Sequence, residues 1–474
     1  MPTFGARLTI DGQALPDRWD GSAATALNKL EIVWGRSDPY DEGEPGTLSA
    51  RIIDPTGDWF ASGDLSGADI TVTRLSAVIG NRIVFRGRIS KATATRQNVY
   101  NPVSRTREPV WIVTVSAGDR LADAAATVLR GEMGAKSVEG PGGWGEQGPV
   151  TRLDNLFDRG AAKLFSAHDT VDLEAVPDRY VVRRLHGQSA SDQRSVLELL
   201  AQVYQLVPLG VVTYDPHANA VRVGSYATAG RSRLTYANGV IGVSVAGARV
   251  IDAGKVAVPD GLQGESTASD AIDTVQVSYY WYGADPNLTP GQQKRVIYTG
   301  AFLQRDTARG RRSDTNRILK IDTEAMYLDA DEFDPGAVDG YNRFPGWLAD
   351  RIVEIVNTLN GQVRLPTLRL DDRRLPLPTA VSDAYYRPYQ LDEPVYFAGS
   401  AFNVLPNAGP QYQAIGGTLR YDRGWTHDLT VTPARSNARG NLTIAGLFGA
   451  SDAPLGNFDP TIRIGDLATV NQGL

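Results

Sequence analysis

Apolar and polar residues alternate in short runs over residues 1–120 of the chain. Between positions 82 and 90, Ile83, Phe85 and Ile89 fall on one side and Arg82, Arg86 and Arg88 on the other, with Val84 out of phase; Trp111, Val113 and Val115 repeat the pattern. A period of two predicts strands with one face buried and one wet, as in antiparallel sheets. Asp54-Pro55-Thr56-Gly57 supplies a turn after the apolar run at 48–53. Residues 1–120 are therefore expected to form a β-barrel or sandwich. Residues 97–108, with Asn101-Pro102, Arg105 and Arg107, are expected to interrupt the ladder as a long exposed hairpin tip, free in solvent or against a neighbour.

Beyond residue 120 the period lengthens. Leu153, Leu156, Phe157 and Leu164 fit one helical face, and Val196, Leu199, Leu200, Val203 and Val207 fit another, with Ser195 and Glu198 spaced as a capping box. Residues 210–214 and 220–223 flank Asp215-Pro216-His217-Ala218-Asn219, a hairpin signal. An α/β insert domain is predicted over 121–264, closing in a polar linker at 260–270. Alternation returns at Val275, Val277, Tyr279 and Trp281. A helix is predicted near 347–360 from Leu348, Ile352, Ile355, Val356 and Leu359, stopped by Asn360-Gly361. Trp425, His427, Leu429 and Val431 then alternate with Thr426, Asp428, Thr430 and Thr432. The expected fold is mainly β with an α/β insert: a second β-barrel domain over 265–433 and an extended C-terminal tail over 434–474.

At 474 residues the chain can bury several cores. It has no cysteine, which excludes disulfides, thiol catalysis and cysteine-ligated metals. A net charge of −6 gives no global field to attract nucleic acid or anionic lipid. The first ten residues lack the apolar core of an export signal, and no stretch of about 18 apolar residues predicts a membrane segment.

Candidate chemistry is sparse. His168, His186, His217 and His427 stand far apart in sequence, without metal-ligand spacing. Gly143-Trp144-Gly145-Glu146-Gln147-Gly148 matches the dinucleotide fingerprint formally, but Gly- and Pro-rich sequence precedes it and Pro149 follows, so a flexible loop is expected. Gly187-Gln188-Ser189-Ala190-Ser191 lacks the last glycine of a nucleophile elbow. Asp329, Asp331, Glu332, Asp334 and Asp339 form an acidic loop that offers oxygen ligands for Ca²⁺ or stands solvated. No cofactor and no catalytic residue are expected. In the aromatic run Tyr279, Tyr280, Trp281 and Tyr282, one alternate pair fills the core, which leaves Tyr280 and Tyr282 as interface candidates or as further intrachain packing.

Two stretches carry a resemblance. Leu30-Glu31-Ile32-Val33-Trp34-Gly35-Arg36, followed by Glu44-Pro45-Gly46-Thr47-Leu48-Ser49-Ala50-Arg51-Ile52-Ile53-Asp54-Pro55-Thr56-Gly57-Asp58-Trp59, resembles the opening of minor tail proteins of phages that infect actinobacteria. Asp392-Glu393-Pro394-Val395-Tyr396-Phe397, Gly416-Gly417-Thr418-Leu419-Arg420-Tyr421 and Gly424-Trp425-Thr426-His427-Asp428-Leu429-Thr430-Val431 are similar to their distal barrel. Those proteins resemble the baseplate hub of siphophage tails, in which two tail-tube-like barrels flank inserted α/β domains. The resemblance implies a non-enzymatic virion subunit at the distal tip of the tail, made in the host cytoplasm. It also implies a homotrimer whose six barrels continue the tail tube, with distal tail, tape-measure and other minor tail or fibre proteins as partners and genomic DNA only in passing through the lumen. Other readings are a hexameric distal tail ring, a receptor- or carbohydrate-binding tail protein, and a peptidoglycan hydrolase built on a carboxylate pair. Deleting residues 436–474 is expected to impair assembly and leave the monomer folded, as read by sedimentation and circular dichroism; unchanged assembly would reject a docking role for the tail.

Overall fold

The structure is a computed structural model that describes residues 5–38, 40–62, 65–75, 80–129, 143–145, 147–169, 184–187, 193–224, 232–237, 240–245, 249–252, 274–281, 293–299, 318–327, 348, 352, 368–371, 395–398 and 412–433. The first part of the chain is β1 (Gly5–Ile10), β2 (Gln13–Leu15), β3 (Ala26–Gly35), β4 (Thr47–Asp54), the one-turn helix α1 (Asp58–Ala61), β5 (Asp69–Leu75), β6 (Arg82–Tyr100) and β7 (Arg107–Asp119). Alternation decides which faces pack. Ala6, Leu8 and Ile10 of β1, Ile70 and Val72 of β5, Ala50 and Ile52 of β4, and Val113 and Val115 of β7 join one core. The turn at Asp54 is as the sequence predicts, and its carboxylate accepts from the N–H groups of Gly57 (3.1 Å) and Phe60 (3.0 Å), so the turn opens directly into α1.

The expected break at 97–108 does not occur. The β6–β7 ladder runs unbroken from Lys91↔Ser116 to Tyr100↔Arg107, and only 101–106 turn. The outer part of β6 buries little: only Ala92, Ala94 and Val99 are half-buried against the cores and its other positions are exposed, so its alternation is too faint to read.

The α/β unit follows: α2 (Arg120–Ala126), α3 (Pro149–Asp158), β8 (Ala167–His168), β9 (Arg184–Leu185), α4 (Val196–Tyr204), β10 (Val211–Asp215) and β11 (Ala220–Gly224). Pro149, taken in the sequence as a sign of loop, instead opens α3 at its first position, where a missing N–H costs nothing. Trp144, in the stretch expected to be flexible, is buried in the core of this unit with Leu153, Leu156, Leu199, Leu200 and Val203. The capping box forms: Ser195 Oγ accepts from Glu198 N–H, and Glu198 accepts from Ser195 N–H at 2.7 Å. Arg152, wholly buried on α3, donates to Gln147 Oε1 and to the carbonyls of Gly145 and His186, and burial pulls it down to about 10.

The remaining strands are β12 (Ser232–Ala237), β13 (Val240–Val245), β14 (Arg249–Asp252), β15 (Thr274–Trp281), β16 (Gln293–Thr299), β17 (Ile318–Tyr327), β18 (Leu368–Asp371), β19 (Val395–Ala398), β20 (Tyr412–Tyr421) and β21 (Trp425–Pro433). β15 lies between β16 and β17, with Val275, Val277 and Tyr279 buried as the alternation predicts. Of the helix expected near 347–360, Leu348 and Ile352 are helical and buried; its other positions lie outside the described residues, as do 434–474.

One sheet runs β18-β21-β20-β3-β4-β7-β6-β5-β1-β2. β20 and β21, assigned by the sequence to a second domain, thus share a sheet with the strands of the first. Among the described residues no ladder closes this sheet into a barrel. It curls instead until Leu27 N–H at the start of β3 meets the Pro16 carbonyl just past β2, at 2.8 Å.

Asp119 joins sheet to helix. It caps α2, accepting from Leu121 N–H (2.9 Å) and Ala122 N–H (3.3 Å), while its other oxygen accepts from Gly46 N–H (2.8 Å) ahead of β4. Burial pushes this carboxyl up to about 7, against the pull of the three N–H groups, and nearby Asp123 adds to the rise. Between about pH 4 and pH 7 the folded chain holds a proton that the unfolded chain has released. Stability contributed at Asp119 therefore falls as pH rises through that window, by at most about 1.4 kcal/mol per pH unit, and levels off above it. Urea unfolding at a series of pH values is expected to show this slope in the native chain and a flatter one in Asp119→Asn.

Candidate assembly interface

Two of the stretches that carry the resemblance, 30–36 and 416–421, meet in space. β3 and β20 pair antiparallel, with Gly35 opposite Gly416 and Trp34 opposite Gly417. Gly35 has φ of 71°, and a Cβ there would stand 2.3 Å from the Ile415 carbonyl oxygen, so only glycine lets the strands approach. Trp34 donates its indole N–H to His427 Nε2 at 2.9 Å, both side chains being buried. An indole can only donate, so His427 accepts at Nε2 and carries its ring proton on Nδ1. Where β20 turns into β21, Trp425 donates to the Gly5 carbonyl (3.1 Å), and the Tyr421 hydroxyl donates to Asp17 (3.1 Å).

The opposite face of the seam is charged. Arg420 binds Glu31 at 2.7 Å and also Asp428, which Arg369 grips through two bonds of 2.6 and 3.1 Å. The pairs cross β3, β20, β21 and β18 in a row. Burial raises the Asp428 carboxyl, but Arg369 and Arg420 outweigh it and hold the group below its ordinary value.

Among the described residues, the sheet beyond the seam ends in edges without a further strand. β5 pairs with β6 only at residues 82–88, so from residue 90 to residue 100 β6 has β7 on one side and, among the described residues, no strand on the other. The strand series β18-β21-β20-β3-β4-β7 and outer β6 is therefore a seven-stranded sheet whose two edges differ: four residues of β18 at one side and eleven of β6 at the other. Long open edges invite pairing with another chain. That edge ends at a built turn. Asn101 Nδ2 donates to Glu108 (2.8 Å) and to the Gly21 carbonyl (3.2 Å), and its Oδ1 accepts from Val103 N–H (2.8 Å).

Of the residues singled out by the sequence, Tyr280 is half-buried on β15 and stacks on His186, ring centroids 3.8 Å apart. Tyr282 lies outside the described residues, as do Asp329, Asp331, Glu332, Asp334 and Asp339. The histidines stay apart: His168 packs on Phe157, His217 Nδ1 accepts from Ile83 N–H, and His427 belongs to the seam. Sequence reasoning missed the ion-pair row, because cross-strand register is invisible until the strands are paired. Among the described residues no group of three acidic or histidine side chains gathers to hold a metal, and no helix is long and apolar enough to cross a membrane.

No family model matches the chain, and no curated protein matches it. Solved structures similar to it include tail proteins. They include the 43 kDa tail protein of prophage MuSo2 from Shewanella oneidensis (11% identity, 91% of this chain and 99% of that one, TM-score 0.48). A tail protein from Neisseria meningitidis MC58 is 10% identical over 91% of this chain and 96% of its own, with a TM-score of 0.44. An E. coli protein described as a component of the type VI secretion system, with structural similarity to the T4 tail proteins gp27 and gp5, is 10% identical over 90% of this chain and 76% of its own, with a TM-score of 0.43.

His427→Phe removes the acceptor that the Trp34 indole uses and is expected to destabilise the chain by about 1–3 kcal/mol in urea unfolding. Trp34→Phe should act through the same bond, so the double variant is expected to lose less than the sum of the two.

Proposed function

We propose that this chain is a non-enzymatic structural subunit of a phage tail, the baseplate hub at its distal tip. In this reading three copies close a ring that joins the tail tube to distal tip or fibre proteins and lines the path by which DNA leaves. The observation that carries it is the seven-stranded sheet whose two edges, unlike each other, have no further strand among the described residues. Unlike edges favour head-to-tail contacts, which close into rings when the rotation between copies allows it, and a closed ring leaves no edge exposed. The resemblance in sequence supports the same reading, since three of the stretches that carry it, 30–36, 416–421 and 424–431, build the β3–β20–β21 seam on which that sheet depends.

In this reading the curl of β1–β7, held at Pro16 and Leu27, supports the first of the two barrels expected of a hub. A density map of the intact tail tip is expected to show three copies in a ring. Six copies would favour a hexameric distal ring instead, and a chain that never enters particles would sink the structural reading.

A further inference from the structure

We propose that the turn closing the β6–β7 hairpin is a membrane-interface contact, in which Val103 and Tyr100 enter the headgroup layer of an anionic bilayer and Arg105 and Arg107 bind lipid phosphates. The inference deepens the tail reading by naming what the distal end would touch, and rests on it only for that bilayer being a host's. Val103, 73% exposed, and Tyr100, 57% exposed, are the two most exposed large apolar side chains among the described residues, and both belong to this turn. The turn also stands clear of the sheet. β4 pairs with β7 only as far as Asp54↔Trp111, whereas β6 and β7 continue four residue pairs further, to Tyr100↔Arg107, which carries the turn roughly 13 Å outward.

Its backbone is already prepared to leave water. Asn101 N–H donates to the Thr106 carbonyl (2.8 Å) and Arg105 N–H to the Asn101 carbonyl (2.9 Å). Val103 N–H (2.8 Å) and Ser104 N–H (3.4 Å) both donate to Asn101 Oδ1, and Thr106 N–H donates to Ser104 Oγ (3.4 Å). With Pro102 lacking an N–H, every backbone donor from 101 to 106 is satisfied inside the turn. A turn that stays in water has solvent for its donors, whereas one that enters a lipid interface must satisfy them itself, because an unmade bond there costs far more. Tyr100 suits the same place, since an aromatic ring with a polar end settles at the level of the headgroups.

Charge around the turn fits an anionic surface. Residues 90–108 hold four cations, Lys91, Arg96, Arg105 and Arg107, and one carboxylate, Glu108, in a chain whose net charge is −6. All four cations are exposed, and none has an ion-pair partner among the described residues. Glu108 is held by Asn101 and Ser104, and Asp20, next in the chain to the Gly21 whose carbonyl Asn101 also binds, accepts from Ser22 N–H. An unpaired guanidinium matches a phosphate through two parallel bonds. Apolar insertion and basic attraction are two signals that together hold a chain on a membrane, where either alone is marginal.

The chain has no cysteine, so Val103→Cys can carry a single environment-sensitive fluorophore. With vesicles of equal parts phosphatidylglycerol and phosphatidylcholine, the labelled chain is expected to co-sediment and its emission to shift to the blue, while a label at the exposed Lys163→Cys does not shift. Partition onto phosphatidylcholine vesicles is expected to be at least ten-fold weaker. Val103→Asp, and Arg105→Gln combined with Arg107→Gln, each folded by circular dichroism, are expected to lose at least ten-fold on the anionic vesicles, and Val103→Leu to lose nothing. Absence of partition, or partition that neither variant weakens, would overturn the proposal. So would retention of a duplex DNA oligonucleotide through Arg105 and Arg107 without vesicle binding, which would make the basic collar a nucleic-acid contact. The vesicle result does not depend on the tail reading, which fails instead if the unaltered chain is absent from particles.

Discussion

The ladder between β3 and β20 is the constraint on which the rest of the structure depends. It brings Trp34 to His427 across 393 positions of sequence, so a long loop is closed before any of its contacts can form. The seam offsets that cost in three ways: a glycine-glycine approach that brings two backbones close, a buried Trp–His hydrogen bond, and a row of ion pairs on the outer face. Without β20 and β21 the sheet would end at β3, and the shared core would lose Leu419, Trp425 and Leu429.

The α/β unit hangs from this sheet through a second joint. Asp119 binds the last turn before β4 and the first turn of α2 with one carboxylate, so the orientation of the helix is tied to the sheet by hydrogen bonds. The Ile83–His217 bond adds a contact from the β10–β11 hairpin to β6. Rigidity therefore extends from the seam to the joint and, through the unbroken β6–β7 ladder, to the turn at 101–106.

Much of this was legible in the residues. Strands with one buried face announced themselves by alternation, as at Val113 and Val115 or at Trp425, His427 and Leu429, because solvent on one side and core on the other write the period directly. The capping box at Ser195 and the turn at Asp54 were equally readable, since both are short-range hydrogen-bond patterns fixed by spacing. The outer half of β6 was not, because a strand that only half-buries Ala92, Ala94 and Val99 writes too faint a period. Pro149 misled for a related reason: the same residue stops a helix from within and starts one at its first position.

By itself the sequence determined the kind of local structure, the lack of cysteine chemistry and of metal-ligand spacing in its histidines, and the two stretches worth attention. Which strands became neighbours was decided only in the tertiary structure. The residues at 30–36 and 416–431 carry no periodic sign that they belong together, because pairing is set by the fit of whole faces and by register across the ladder, neither of which is a property of a single strand. The edges of the sheet were fixed by the same step. An edge exists only once the order of strands is known.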